Sequence, residues 1–476
     1  MPPPQLTNPI KTIQGVRVPN SKSTWDITVA YSADSPQGTI SSITPHQPPS
    51  QDSTQFPLLL PSLTHPHIHI DKAFIHGAPE HAHLLPVTGS FQEALSFTTQ
   101  AKGQFALPAL TKRGEWLLAE SVASGVTAMR AFVEVDRAVQ TTCLDAGGIL
   151  KEKWKDACEI QIVCFAQDPI FSGMHGEENR GLMEKGILTR HTDVIGTTPY
   201  VESDIHSAKM NIDWAIDRAM HLGLHVDFHL DYNLDHNKEP LVWYVLKRLR
   251  EKGWTSQLGK RVMLGHCSRL TLFSSVEWER LAREIREGDL PVSFVGLPTS
   301  DLYMASPPPG EGAGARAPHE KQRGTLQVPE MIRKYALDAV MGVNNVGNAF
   351  TPWGSPDPLS LACLGVGVYQ TGTQADAELL YECVSTRARA AIGLPIRTSS
   401  GSDLTLKQGD RPDFLLFYNL DDTGCELSRV RGSVAEVVWD PPARLSRAVA
   451  CNGRLMVKPM AEMRSQSCPG SNLGYI

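Results

Sequence analysis

Residues 65–74 read HPHIHIDKAF, alternating imidazole or carboxylate with aliphatic side chains. Successive side chains of a strand point to opposite faces. His65, His67, His69 and Asp71 are therefore expected on one face, and Pro66, Ile68 and Ile70 on the other. The aliphatic face suits packing beneath helices. The imidazole face would bury polar groups at a cost unless something binds them. Two imidazoles two residues apart can reach one ion from a single strand, and neutral imidazole nitrogen is a ready ligand of zinc and iron. His67 and His69 are thus candidate metal ligands.

The same logic recurs in HVDFHLD, residues 225–231. His225, Asp227, His229 and Asp231 are expected on one face, with Val226, Phe228 and Leu230 opposite. His229 lies nearest the C-terminal end and is the third candidate ligand. His225 sits two residues deeper and reads as structural. A third apolar run, VMLGHCS (262–268), carries His266, placed to hydrogen-bond a metal-bound water or to polarise a substrate carbonyl. Cys267 follows it directly, but strand neighbours point apart, so the thiol is expected to be buried rather than paired with the imidazole.

These runs need a scaffold. Between residues 61 and 402 strand-like and helix-like stretches alternate, the mark of parallel βα units. Eight strands are expected: 63–71, 125–134, 159–167, 193–200, 224–231, 261–268, 291–299 and 338–345. Helical stretches fall between them, as at 112–124 and 207–223. Eight such units fit a (β/α)8 TIM-like barrel, whose chemistry sits at the C-terminal ends of the strands. Residues 305–324 are rich in Pro and Gly and read as a long loop, either a lid over the site or an insertion without a role. Short strand-like runs occupy both chain ends, among them 411–420, 433–440 and 446–457. The expected organisation is therefore a small β-sandwich built from residues 1–60 and 403–476, flanking the barrel of residues 61–402.

The 476 residues include 41% hydrophobic and 20% charged ones, with a net charge of −6, which describes an ordinary globular chain without a basic nucleic-acid surface. Nine cysteines in no C-x-x-C pair argue against a disulfide framework or a cysteine zinc site. The start, MPPPQLTNPIKTIQG, has no apolar signal-peptide core. No run of about 18 apolar residues suggests a membrane span. A reduced, cytoplasmic setting is the expectation, with a small-molecule partner and homo-oligomerisation left open.

HPHIHIDKAF resembles the first-strand motif of the cytosine deaminase-like amidohydrolases, a branch that includes s-triazine aminohydrolases. The likeness continues in order through VTAMRAFVEVD (126–136), QIVCFAQ (161–167), DFHLDYNLD (227–235), LGHC (264–267), LPTSDLYM (297–304) and GVNNVGNAFTPWGSPDPL (342–359). It closes with LKQGDRPDFLLF (406–417) and VACNGRLMV (449–457). This resemblance implies one divalent metal ion, zinc or iron, held by His67, His69, His229 and the eighth-strand position, Asn344. It implies that His266 assists a metal-activated water and that Gln167 contacts a substrate ring or amide. The implied reaction is hydrolysis of a C–N bond other than a peptide bond, in an N-heterocycle or amide.

Two positions depart from that family pattern. Asn344 stands where the family has Asp; an amide oxygen can ligate weakly but has no useful basicity. Tyr232 stands where the family has a proton-shuttling Glu, and a phenol is a poor shuttle near neutrality. Three readings follow: a hydrolase in which His266, Asp301 or Asp231 moves protons, a metal-assisted non-hydrolytic catalyst, or a silent relative that binds a small molecule. Lys72 could hold an anionic substrate group or sit at the rim. Arg130 could pair with Glu134 or with substrate. Trp353 could stack on a flat ring or simply pack.

Overall fold

The computed structural model describes residues 8–47, 53–305, 323–394, 404–421, 425, 427 and 429–457. The run at 305–324, read above as a lid or insertion, lies almost wholly outside the described residues.

Among the described residues, fifteen strands form two sheets. β1 (Thr12–Arg17), β2 (Thr24–Ser32), β3 (Ser35–Pro45) and β4 (Leu58–Pro61) come from the start of the chain. The next eight are β5 (Leu63–His69), β6 (Val126–Glu134), β7 (Glu159–Ala166), β8 (Thr192–Thr197), β9 (His225–Leu230), β10 (Val262–His266), β11 (Val292–Gly296) and β12 (Ala339–Met341). The last three are β13 (Phe414–Phe417), β14 (Arg447–Cys451) and β15 (Arg454–Val457). β5 to β12 make an eight-stranded parallel sheet in chain order. The remaining seven form a separate mixed sheet, ordered β15-β14-β13-β4-β1-β2-β3. All eight barrel strands fall where the alternating pattern put them.

The barrel closes beside the site. The His69 amide donates to the Asn344 carbonyl (2.8 Å), and the Asn344 amide donates to the His67 carbonyl (3.1 Å). Backbone hydrogen bonding thus fixes the end of the first strand against the end of the last. Outward-facing Ile68, Val133, Ile162 and Phe228 join one large core with the surrounding helices, which include Leu107–Ser124 and Ile205–Leu222. Phe132, Val163, Phe165 and Val194 fill the interior. Burial of this apolar surface supplies the main driving force for the fold.

Two local expectations fail. Residues 433–440 were expected to be strand-like, yet Val434–Trp439 is a helix. Ser433 and Glu436 form a capping box at its start, and this local hydrogen bonding outweighs the β preference of its valines. His65 does not face the barrel interior with His67. The β5/β6 register shifts between His65 and Ile68, and His65 Nε2 instead meets Ser121 Oγ on the neighbouring helix at 3.2 Å. An irregular register breaks the period-2 rule.

Candidate metal centre

His67 and His69 end β5 and His229 nears the end of β9. One nitrogen from each ring lies within 4.8 Å of the others. The Nε2 atoms of His69 and His229 are 3.1 Å apart. Each of the three residues is at most 2% exposed. Both nitrogens of His67 and the Nδ1 atoms of His69 and His229 meet no hydrogen-bond partner. Phe132 packs 4.1 Å from the His67 ring, and Phe165 4.4 Å from the His229 ring, centroid to centroid. Burial pushes all three imidazoles well below their ordinary pKa, and neighbouring cationic groups push in the same direction. They are therefore neutral, with lone pairs to offer.

Polar groups this deep normally find partners. Three neutral imidazoles converging with unsatisfied nitrogens fit a zinc- or iron-type divalent ion. Asn344 adds an oxygen: its Oδ1 is buried and unpartnered, while its Nδ2 donates to Ser300 Oγ at 2.8 Å. Beside the cluster, His266 Nδ1 is 2.8 Å from Asp301 Oδ1. The other oxygen of that carboxylate accepts from the Leu297 amide (3.1 Å) and Thr325 Oγ1 (2.8 Å). Asp301 is wholly buried, so its carboxylate fixes the orientation of the His266 ring.

No protein-family model matches the sequence, and no curated protein matches it. Solved structures do. A 5-methylcytosine deaminase from Klebsiella pneumoniae, liganded with 5-fluorocytosine, superimposes with a TM-score of 0.75 at 19% identity, over 98% of this chain and 99% of that one. N-isopropylammelide isopropylaminohydrolase from Burkholderia multivorans gives 0.67 at 20% identity, over 93% and 97%. An adenosine deaminase from Xanthomonas campestris, with bound zinc, gives 0.56 at 13% identity, over 95% and 96%. The chain shares the fold of these structures, a (β/α)8 barrel with a second sheet.

Within that fold, a cavity at the barrel mouth brings together His69, His229, His266, Asn344, Tyr232, Lys72 and Gln167. Tyr232 lies over His266, with ring centroids 4.0 Å apart, and its hydroxyl donates to the Ser300 carbonyl at 3.4 Å. Burial pushes this phenol well above its ordinary pKa, so it stays neutral. Lys72 is not a rim residue: its side chain is 2% exposed and its Nζ is 2.6 Å from Glu134 Oε1 and 3.3 Å from Gln167 Oε1. Arg130 does not pair with Glu134. It faces the interior and meets Asp227 Oδ2 at 3.2 Å.

Two further residues lie away from the site. Asp231 does not share the inward face with His229. Its backbone turns to φ 50°, and its carboxylate accepts from the amides of Leu241 (2.8 Å) and Val242 (3.1 Å) at a helix start. Trp353 is 38% exposed and bonds the Ser355 carbonyl; from the same loop it is Phe350 that lines the cavity. Cys267 is buried, and burial first of all holds its thiol well above its ordinary pKa. His266 (φ 65°) and Asn344 (φ 67°) both occupy the left-handed region, an uncommon conformation for residues other than glycine that clusters at functional sites. Sequence reasoning missed Ser300, Tyr200, Asn345 and Phe350 as cavity residues. LPTSD held a signal for Ser300, since it precedes Asp301; nothing in the local pattern marked the others.

Proposed function

We propose that this chain is a metal-dependent hydrolase of a non-peptide C–N bond in a small nitrogen-containing molecule. One divalent ion, zinc or iron, would be held by His67, His69 and His229, with the Asn344 amide oxygen completing the set. The observation that carries this reading is the convergence of three buried, neutral imidazoles, each with a nitrogen that meets no hydrogen-bond partner. When bound, such an ion supplies Lewis acidity and acidifies water.

The chain's own residues supply the rest. Asp301 occupies Nδ1 of His266, leaving Nε2 to serve the cavity. That nitrogen takes a proton from the attacking water and returns it to the leaving nitrogen, the work that Tyr232 and Asn344 cannot do. Gln167 and Lys72 hold the substrate. Tyr232 covers His266 and keeps bulk water from it. A reducing cytoplasmic setting suits the buried thiols of Cys143, Cys158, Cys164, Cys267, Cys383 and Cys451, none of them in a disulfide. No helix among the described residues is long and apolar enough to cross a membrane.

The neutral pair Asn344 and Tyr232 favours a second reading, a silent relative that binds a small molecule without turnover. Elemental analysis of the purified protein, followed by an ammonia-release screen over cyclic amides, aminopyrimidines and triazines, separates the two. The hydrolase reading expects close to one transition-metal ion per chain, with metal and turnover both lost in His67→Ala. Protein that stays metal-free after zinc and iron supplementation would remove the hydrolase reading.

A further inference from the structure

The substrate cavity has a one-sided polarity. None of the described residues lining it is an aspartate or glutamate. One of them is a buried ammonium, Lys72. Its nearest countercharge, Glu134, lies behind it and does not line the cavity. Glu134 Oε2 also lies 2.7 Å from Lys102 Nζ, which has Asp136 and Asp168 as further partners. Glu134 faces Nζ as an ion pair and Gln167 Oε1 accepts from it, which leaves ammonium hydrogen-bonding capacity for the cavity. The rings of Phe165 and Phe350 stand 5.9 and 5.6 Å from Nζ, so the cation is desolvated and stabilised by their faces.

The neighbouring amides point the same way. Gln167 spends its oxygen on Lys72, and Asn345 spends its oxygen on Asn348 Nδ2 (2.8 Å). Gln167 also hydrogen-bonds the Tyr200 side chain, so it is chiefly the Asn345 NH2 group that is left for whatever enters. This end of the cavity thus offers donors and a positive charge, with no carboxylate to receive an amino or amidinium group. A buried charge in a weakly screened pocket selects strongly for its opposite. A ring that presents only amino groups here would leave the ammonium hydrogen without an acceptor, which is costly in a buried site, and among acceptors an oxyanion also meets the charge.

We infer that the substrate is an anion, a nitrogen compound bearing a carboxylate or an equally acidic oxo group, whose oxyanion is seated on Lys72 Nζ. This deepens the hydrolase reading and rests on the same cavity. Lys72 is then a specificity-determining residue, separate from the three imidazoles and from His266.

Binding measured by calorimetry on chelator-stripped full-length protein tests this, because removing the metal removes the other cation that could hold an anion. Orotate and uracil share a ring and differ by one carboxylate. Orotate should bind at least tenfold more tightly, and Lys72→Met should shrink the gap below threefold, chiefly through weaker orotate binding. If Lys72→Met misfolds because Glu134 loses a partner, the double variant Lys72→Met/Glu134→Gln removes that stranded charge. Orotate binding no better than uracil, absence of binding by both, or a preference that survives loss of Lys72 would each overturn the inference. Turnover of neutral heterocycles without any anion preference leaves the hydrolase standing and this inference fallen. An anion preference without C–N cleavage does the reverse.

Discussion

The barrel interior holds two polar layers, and they are finished differently. In the deeper layer, Arg130 gives NH1 to Asp227 Oδ2 (3.2 Å), Nε to Gln161 Oε1 (3.1 Å) and NH2 to the Ile392 carbonyl (3.0 Å). Gln161 Nε2 donates to the same carbonyl at 3.0 Å. In the mouth layer, His67, His69, His229 and Asn344 keep buried atoms that meet nothing. Asp227 stands between them: its Oδ1 is also without a hydrogen bond and lies 3.9 Å from His67 Nδ1. Both layers lie in the same low-dielectric tube, so the difference is one of purpose. A network satisfied in most of its atoms, as the Arg130 one is, holds strands together, whereas one left largely open costs stability and is retained where a ligand completes it.

Removing one residue from each layer should break them in opposite ways. Arg130→Met leaves Asp227 buried without its partner, and loss of one member of such a pair costs on the order of 3–5 kcal/mol. His67→Ala strands no charge, so in metal-stripped protein it should cost less, about 1–2 kcal/mol. Urea titration of both variants after chelation checks the ranking. Equal losses would mean that the mouth imidazoles are structural after all.

Within the mouth the comparison turns to chemistry. Asp301→Asn keeps the volume but removes the carboxylate that orients His266. Turnover should fall roughly 100- to 10,000-fold, the usual range for a lost acid–base group, with metal content unchanged. A loss of metal along with activity would place Asp301 in support of the ion rather than of proton transfer. Asn344→Asp should act the other way and more mildly. The new carboxylate faces the imidazoles, and Ser300 Oγ can donate to it, so metal affinity should rise about tenfold, worth about 1.4 kcal/mol. Competition with a chelator of known affinity measures this, and an unchanged affinity removes Asn344 from the ligand set.

Where the sequence was legible, the reason was periodicity. Ile68, Phe228 and Val133 alternate with inward residues, and long-range packing enforces that register in every barrel strand. His67, His69 and His229 were legible on the same ground. Illegible positions lay where the period ends or slips. His65 precedes a register shift, and Asp231 lies past the strand at φ 50°, where its carboxylate caps a helix. Lys72 and Trp353 lie in loops, where spacing carries no facing information, so their burial and exposure came only with the fold.

The smallest expected effect concerns neighbours in sequence. His266 and Cys267 are adjacent, both have positive φ, and both are nearly inaccessible, yet only the imidazole reaches the cavity. The Cys267 thiol points to the Gly265 carbonyl, 3.6 Å away, and packs in the main core. Its thiolate is disfavoured chiefly by burial, with the nearby carboxylates Asp231 and Asp301 adding to that effect. Cys267→Ala should therefore leave turnover within about twofold and cost about 1 kcal/mol of stability through lost packing. A thiol reagent should leave native Cys267 unmodified while reacting with exposed Cys425. Modification of Cys267 at the rate of Cys425, or a large loss of turnover in Cys267→Ala, would put the thiol in the site and return the Cys–His pair to consideration.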